Sequence, residues 1–361
     1  MRILHVVGAR PNFMKAAPVF SALCEQPGVV QTLVHTGQHY DPNMSEIFFR
    51  QLALPAPDVN LDVRSASHAR QTAEIMARVE PVLLERRPDV VLVYGDVNST
   101  MAAALVCAKL LIPVGHVEAG LRSHDRTMPE EINRRVTDQV ADALFTPSAD
   151  GDENLGREGV APERIHRVGN VMIDSVVRCL PLATPPEADA LPDTYALCTL
   201  HRPSNVDDPG VFEGIVGALI DIASDLPVVF PVHPRTRRVI ERLCAAPAAH
   251  GLHLLDPLGY LQFLAAEREA RLVITDSGGV QEETTYLGVP CLTVRDSTER
   301  PITLTLGTNI LVGRDPARLR AEARRILEGT TKRGRIPPLW DGHAGDRIAS
   351  VLVSGEKGGL Y

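Results

Sequence analysis

The residues best suited to chemistry lie in Leu272–Val294, LVITDSGGVQEETTYLGVPCLTV. Asp276-Ser277-Gly278-Gly279 breaks an apolar, β-leaning run, and Val280–Leu287 then reads as a helix closed by Gly288. A helix start carries unpaired N–H groups and partial positive charge, and glycine lets an anion approach closely. A diphosphate suits such a turn, and Glu282 and Glu283, one turn further on, suit ribose hydroxyls. The competing reading is a tight strand–helix turn that binds nothing. Elsewhere Arg10 and Lys15 put two cations beside the Gly8-Ala9-Arg10-Pro11 turn, and Asp96, after Gly95, and Glu118 each stand at the end of an apolar run. Glu130 and Glu131 open a helix behind Pro129, where acids are also ordinary helix-starting chemistry. His201, Arg202, His233, Arg295 and Arg300 add imidazoles and cations in the second half.

The elements that must position these residues alternate regularly. Strands are expected at Arg2–Val7, Val29–His35, Asp89–Tyr94, Pro113–Val117, Ala143–Thr146 and Ile165–Val168, with helices at Asn12–Leu23, Met44–Leu52, Ser67–Arg86 and from Pro129. Leu180–Pro192, rich in Pro and Ala, reads as a linker. The pattern then restarts with strands at Tyr195–Leu200, Pro227–Val232 and Leu252–Leu255 and helices at 209–224, 259–269 and 316–327. Such alternation predicts an α/β protein of two Rossmann-like domains with parallel sheets, facing a cleft. The expected domains are 1–170 and 171–344, with a last helix in 345–361 returning to the first. Asp96, Glu118, His201 and His233 all fall at strand carboxyl ends, the edge where open α/β sheets bind ligands.

The bulk properties exclude several classes. With 361 residues there is chain enough for two cores. A formal net charge of -8 and no Lys/Arg-rich run argue against a nucleic-acid partner. No apolar stretch reaches membrane-span length and the N-terminus enters a strand directly, so a cytoplasmic protein with no membrane partner is expected. Six scattered cysteines without a C-x-x-C suggest reduced, buried thiols. G-x-G-x-x-G, a P-loop and metal motifs are all missing. Charge on a departing diphosphate would then fall to Arg, Lys and helix N-termini, and several carboxylates make sense beside a sugar whose protons move.

The segments GARPNFMKAAPV, VLVYGDVNST, PVGHVEAGLRS, MPEEINRRVTD, VGNVMIDS, TLHRPSNVD, FPVHPRTR, ITDSGGVQEETTYLGVPCLTVRDSTERP and GTNILVG together resemble the non-hydrolysing UDP-N-acetylglucosamine 2-epimerases. The resemblance spans almost the whole chain. It implies a GT-B-type fold, a homodimer, and reversible conversion of UDP-GlcNAc to UDP-ManNAc without an oxidising cofactor, feeding cell-surface polysaccharide synthesis. It also implies the path: UDP leaves C1 as a base takes the C2 proton, and a 2-acetamidoglucal intermediate then regains both from UDP and an acid. By motif, Asp96, Glu118 and Glu130 would be the catalytic carboxylates, their acid and base roles open, with His201 facing them. Arg10, Lys15, Arg202 and Arg300 would contact substrate, Ser277, Gly278 and Gly279 the diphosphate, and Glu283 the ribose. Phe263 matches a uracil-contacting position, and Leu258 stands where relatives often carry Gln, leaving a backbone contact.

Two departures bear on substrate and regulation. The Gln38–Met44 segment is longer than the compact Q-H-R-E-M motif with which many bacterial members bind an activating second UDP-GlcNAc. TGQHYDPNMSEIFF also looks like the branch acting on UDP-2,3-diacetamido-glucuronic acid, whereas TERP differs from that branch's W-V-E-type continuation. UDP-GlcNAc is therefore the favoured substrate, with the diacetamido uronate second. A hydrolysing epimerase, a GT-B glycosyltransferase and a non-catalytic nucleotide-sugar sensor are the rival readings.

Overall fold

A computed structural model describes residues 1–38, 52, 54–186, 191–244 and 246–354, without the side chain of Arg10. The helix expected near 44–52, and most of the Gln38–Met44 segment, lie outside the described residues. The chain forms two compact units, one of Met1–Val177 with Pro338–Tyr361, the other of Arg178–Pro337.

In unit 1 the strands are β1 (Arg2–Val7), β2 (Val30–His35), β3 (Val59–Asn60), β4 (Val90–Tyr94), β5 (Val114–Val117), β6 (Ala143–Thr146) and β7 (Ile165–Arg167). They form one parallel sheet in the order β3-β2-β1-β4-β5-β6-β7. The order reverses between β1 and β4, the switch point at which such sheets open a crevice beyond the strand carboxyl ends. Strand β4, VVLVY, is buried along its length, as a central parallel strand covered by helices on both faces must be. Ile75, Val79 and Leu83 on helix His68–Arg86 and Ala102, Ala103 and Val106 on helix Asn98–Leu110 pack with Val91 and Val93 in one apolar cluster. The terminal helix Ala344–Ser354 belongs to this unit. Its first N–H groups, Ala344 and Gly345, donate to the Asp174 carboxylate at 3.1 and 2.7 Å. A side chain at Gly345 would strike the Pro18 carbonyl of helix Arg10–Cys24.

Unit 2 repeats the plan with β8 (Ala196–Thr199), β9 (Val228–Pro231), β10 (Leu252–Leu255), β11 (Leu272–Thr275), β12 (Cys291–Thr293) and β13 (Asn309–Leu311). The parallel order β10-β9-β8-β11-β12-β13 reverses between β8 and β11. Sequence periodicity did not reveal β3, β13 or the helices Ala149–Arg157 and Val171–Cys179. Five cysteines are buried, Cys24 is exposed, and none is paired. No helix among the described residues is long and apolar enough to cross a membrane.

Candidate active site

In unit 1 the side chains of interest cluster at the β1/β4 switch point and on neighbouring β5. After β1 the Asn12 carboxamide accepts from the N–H groups of Gly8 and Ala9 at 3.0 and 3.2 Å and donates to the Tyr94 carbonyl at 2.8 Å. This ties the β1 and β4 ends together. Helix Arg10–Cys24 then carries Lys15, 4% exposed, whose ammonium pairs with the Glu118 carboxylate, also 4% exposed. Gly95 makes room for that pair: a Cβ there would lie 2.6 Å from Lys15 Nζ and 3.3 Å from Glu118 Oε2. Glu118 follows β5 with φ 71°, a left-handed conformation that a side chain adopts only at a cost, and such strain clusters at functional sites.

Asp96, half-buried, pairs with the guanidinium of Arg134, and its carbonyl accepts from Asn133 at 2.9 Å. Arg134, 1% exposed, also reaches Glu131 at 3.1 Å. Burial would raise the Glu131 carboxyl, but the Ser123 N–H and O–H, at 2.8 and 2.9 Å, and Arg134 bring it below the ordinary range. Glu130, on the same first helical turn of Pro129–Val140, is half-buried and has no ion pair among the described residues. Beneath them His116 bridges the Asp138 carboxylate at 2.6 Å and the Gly95 carbonyl at 2.8 Å. Asp138 also meets Arg122 at 2.7 Å. Burial works against the Asp138 anion, yet His116 and Arg122 hold its carboxyl below the usual range. Sequence reasoning missed His116, Asp138 and Arg134; the Glu131/Arg134 spacing of three, one face of a helix, was an available signal.

Unit 2 builds its own cluster around Asp276, a residue the sequence offers only as the start of the turn after a strand. Its carboxylate, fully buried, accepts from the backbone N–H of His201 at 3.1 Å, of Arg202 at 3.0 Å, and from Asn205 at 2.9 Å. The exposed His201 ring lies 3.0 Å away through Nδ1. Burial opposes ionisation of Asp276, and His201, Arg202 and Asn205 outweigh it, lowering its carboxyl. The loop after β8 is thereby fixed to the loop after β11, across the switch point. Arg202 Nε donates to the Asp276 carbonyl at 3.0 Å.

Ser277 precedes helix Gly278–Leu287 without capping it, and Ser277, Gly278 and Gly279 are all half-buried. A Cβ at Gly278 would sit 2.6 Å from Arg300 Nη1, so only glycine lets the guanidinium lie against this turn. Arg300, 6% exposed, pairs with Glu282 at 2.8 Å and with Glu299, which also holds Arg295 at 2.7 Å. Arg300 thus braces the turn from behind, its charge balanced by two carboxylates. Glu283, 4% exposed, accepts from the Tyr260 hydroxyl at 2.9 Å. Leu258 and Phe263 are half-buried against the cluster of Tyr195, Val273 and Val280. His233 is exposed and caps helix Pro234–Leu243, accepting from Arg235 N–H at 3.3 Å. No group of His, Cys, Asp or Glu among the described residues is arranged to hold a metal ion.

This geometry can be set beside known proteins. The model of the UDP-N-acetylglucosamine 2-epimerase family matches residues 21–353. The chain belongs to that family. A UDP-2,3-diacetamido-2,3-dideoxy-D-glucuronate 2-epimerase of Pseudomonas aeruginosa is 46% identical over 98% of this chain and 99% of its own. A UDP-N-acetylglucosamine 2-epimerase of Methanocaldococcus jannaschii is 41% identical over 99% and 100%. The crystal structure of the M. jannaschii enzyme in complex with UDP-GlcNAc and UDP superposes with a TM-score of 0.89 at 41% identity, covering 98% of this chain and 100% of that one. The GT-B-type fold implied by the sequence motifs is the fold observed: two Rossmann-like units with parallel sheets of seven and six strands. Membership makes the protein an epimerase of a UDP-linked amino sugar, and so an isomerase.

Proposed function

We propose that the chain interconverts UDP-GlcNAc and UDP-ManNAc by eliminating UDP from C1 and adding it back. The C2 proton of this sugar is not activated by a carbonyl, so direct deprotonation is too slow. If the C1–O bond breaks as the proton moves to a carboxylate, the electron pair of C2–H forms the C1=C2 bond and the pair of C1–O leaves with UDP. Re-addition of UDP, with a proton delivered to the other face of C2, gives the epimer. Two faces require an acceptor and a donor, and unit 1 supplies Asp96, Glu118 and Glu130. The observation that carries the reading is Glu118 itself. A carboxylate held in a strained backbone conformation, at the ligand edge of the sheet and against Lys15, is poor core design and good proton-transfer design. Unit 2 supplies the nucleotide site: the first N–H groups of the Ser277–Gly279 turn for diphosphate, Glu283 for ribose, Phe263 and the Leu258 backbone for the base. His201 assists the leaving oxygen, with Arg202 beside it.

The Pseudomonas relative, at 46% identity, favours a second reading in which the substrate is the diacetamido uronate. TERP at 298–301, with Arg300 behind the diphosphate turn, supports UDP-GlcNAc instead. NMR in heavy water discriminates among these readings. UDP-GlcNAc should give a mixture of both nucleotide sugars with deuterium at C2. Turnover of the uronate alone would replace the substrate, and free ManNAc would make the enzyme hydrolysing. No exchange with either compound would defeat the epimerase mechanism.

A further inference from the structure

Helix Tyr260–Glu269 ends in the charged run Glu267-Arg268-Glu269, yet Glu267 is 0% exposed. No N–H or O–H among the described residues donates to either of its oxygens. Across from it, on helix Gly278–Leu287, is Glu283, a second buried carboxyl group. Among the described residues, the other ionisable groups bearing on Glu267 are Tyr260 on its own helix and Cys291 on β12, neither of them a cation. Two adjacent buried carboxylates cannot both be ionised. The Tyr260 hydroxyl donates to Glu283 and stabilises an anion there. Glu267 has no donor but its own O–H, so the shared proton rests on Glu267. Burial and Glu283 both raise its carboxyl well above the ordinary range.

We propose that Glu267 is a positioning residue, a neutral acid whose O–H, together with Tyr260, fixes the Glu283 carboxylate for the ribose hydroxyls of the nucleotide. This rests on the nucleotide site proposed above for unit 2. An apolar side chain at 267 would avoid burying a carboxyl group. A neutral acid offers what an apolar group cannot: a second donor that orients Glu283 without cancelling its charge. A Lys or Arg at 267 would neutralise the anion, and a second anion would repel it. Two protein donors on Glu283 set the direction in which its carboxylate meets a vicinal diol.

The test measures binding of UDP and 2′,3′-dideoxy-UDP by calorimetry, with wild type, Glu283→Gln, Glu267→Gln and Glu267→Leu. Wild type should prefer UDP by roughly tenfold or more, the value of a hydrogen bond to a charged acceptor. Glu283→Gln and Glu267→Leu should lose most of that preference, and Glu267→Gln, whose amide still donates, should keep it. Wild-type affinity for UDP should fall as alkaline pH ionises Glu267, while Glu267→Gln, neutral throughout, should not follow. If wild type discriminates and Glu283→Gln does not, but Glu267→Leu behaves as wild type, the role of Glu267 is refuted and the ribose contact stands. Should Glu267→Leu fail to fold, an identical alkaline loss in Glu267→Gln would refute it equally. If wild type itself binds both nucleotides alike, the ribose reading of Glu283 fails, and this inference with it.

Discussion

Replacing Asp276 with alanine removes the acceptor that holds the loop after β8. Three donors end on this carboxylate besides the His201 ring: the N–H groups of His201 and Arg202 and the amide of Asn205. A hydrogen bond to an ionised partner contributes about 1.5–3 kcal/mol net, most where the donor left behind stays dry. His201 is exposed, so its N–H and ring can turn to water and contribute little to the cost. Asn205, 1% exposed, and the half-buried Arg202 cannot do so freely, which puts the loss for Asp276→Ala at about 3–5 kcal/mol. Unit 2 alone should carry it. The only tryptophan, Trp340, belongs to unit 1, where its indole N–H donates to the Pro147 carbonyl. Urea titration followed by tryptophan fluorescence should therefore overlay wild type. The same titration followed by far-ultraviolet circular dichroism should show an earlier phase. With a urea slope of about 2 kcal/mol/M, that phase moves by about 2 M. Asp276→Asn, which keeps one acceptor oxygen, should fall between, and both variants should lose turnover as His201 loses its seat. A dichroism midpoint within about 0.5 M of wild type would refute the claim that Asp276 organises the unit 2 cluster.

Two further outcomes follow from unit 1. Lys15→Met removes a buried cation from the Glu118 carboxylate and should cost about 3–5 kcal/mol by Trp340 fluorescence in urea, with Glu118→Gln restoring part of it in the double variant. A simple sum of the two single-variant losses would show that the pair is not coupled. His5, fully buried with its Nδ1 at 2.7 Å from the Tyr94 hydroxyl and Nε2 at 2.9 Å from Gln31 Oε1, is pushed down to about 4 by burial, the Gln31 bond opposing. A histidine kept neutral in the fold adds stability above its unfolded pKa near 6.5, and that stability is lost as pH falls towards 4. Unit 1 should be about 2 kcal/mol less stable at pH 5 than at pH 7 from this group. His5→Gln should show a shallower slope over that interval, whatever its absolute stability.

What could be read from residues alone was whatever depends on neighbours in the chain. Buried parallel strands such as VVLVY, the Gly288 helix stop with φ 75°, and the placement of Asp96, Glu118 and His201 just beyond strand ends are all local patterns. Strands β3 and β13, two and three residues long, are too short to show a period. Asp276 looked like a turn residue because its partners lie 71 to 75 positions earlier, brought to it by the β8–β11 pairing. Glu130 and Glu131 show where a local signal divides two equal-looking candidates. They are chemically alike and adjacent, but 100° of helical turn separates them. That turn leaves Glu130 half-buried without an ion pair among the described residues, and seals Glu131 at 1% exposure against Arg134, three residues on. The same geometry applies to Glu267. Tyr260, Leu264 and Glu267 stand at i, i+4 and i+7, one inward stripe of their helix, so the run Glu-Arg-Glu conceals a core position. An acid on an inward stripe is either an error that selection removes or a group with a buried partner. Here the partner is Glu283, the carboxylate proposed above to meet the ribose.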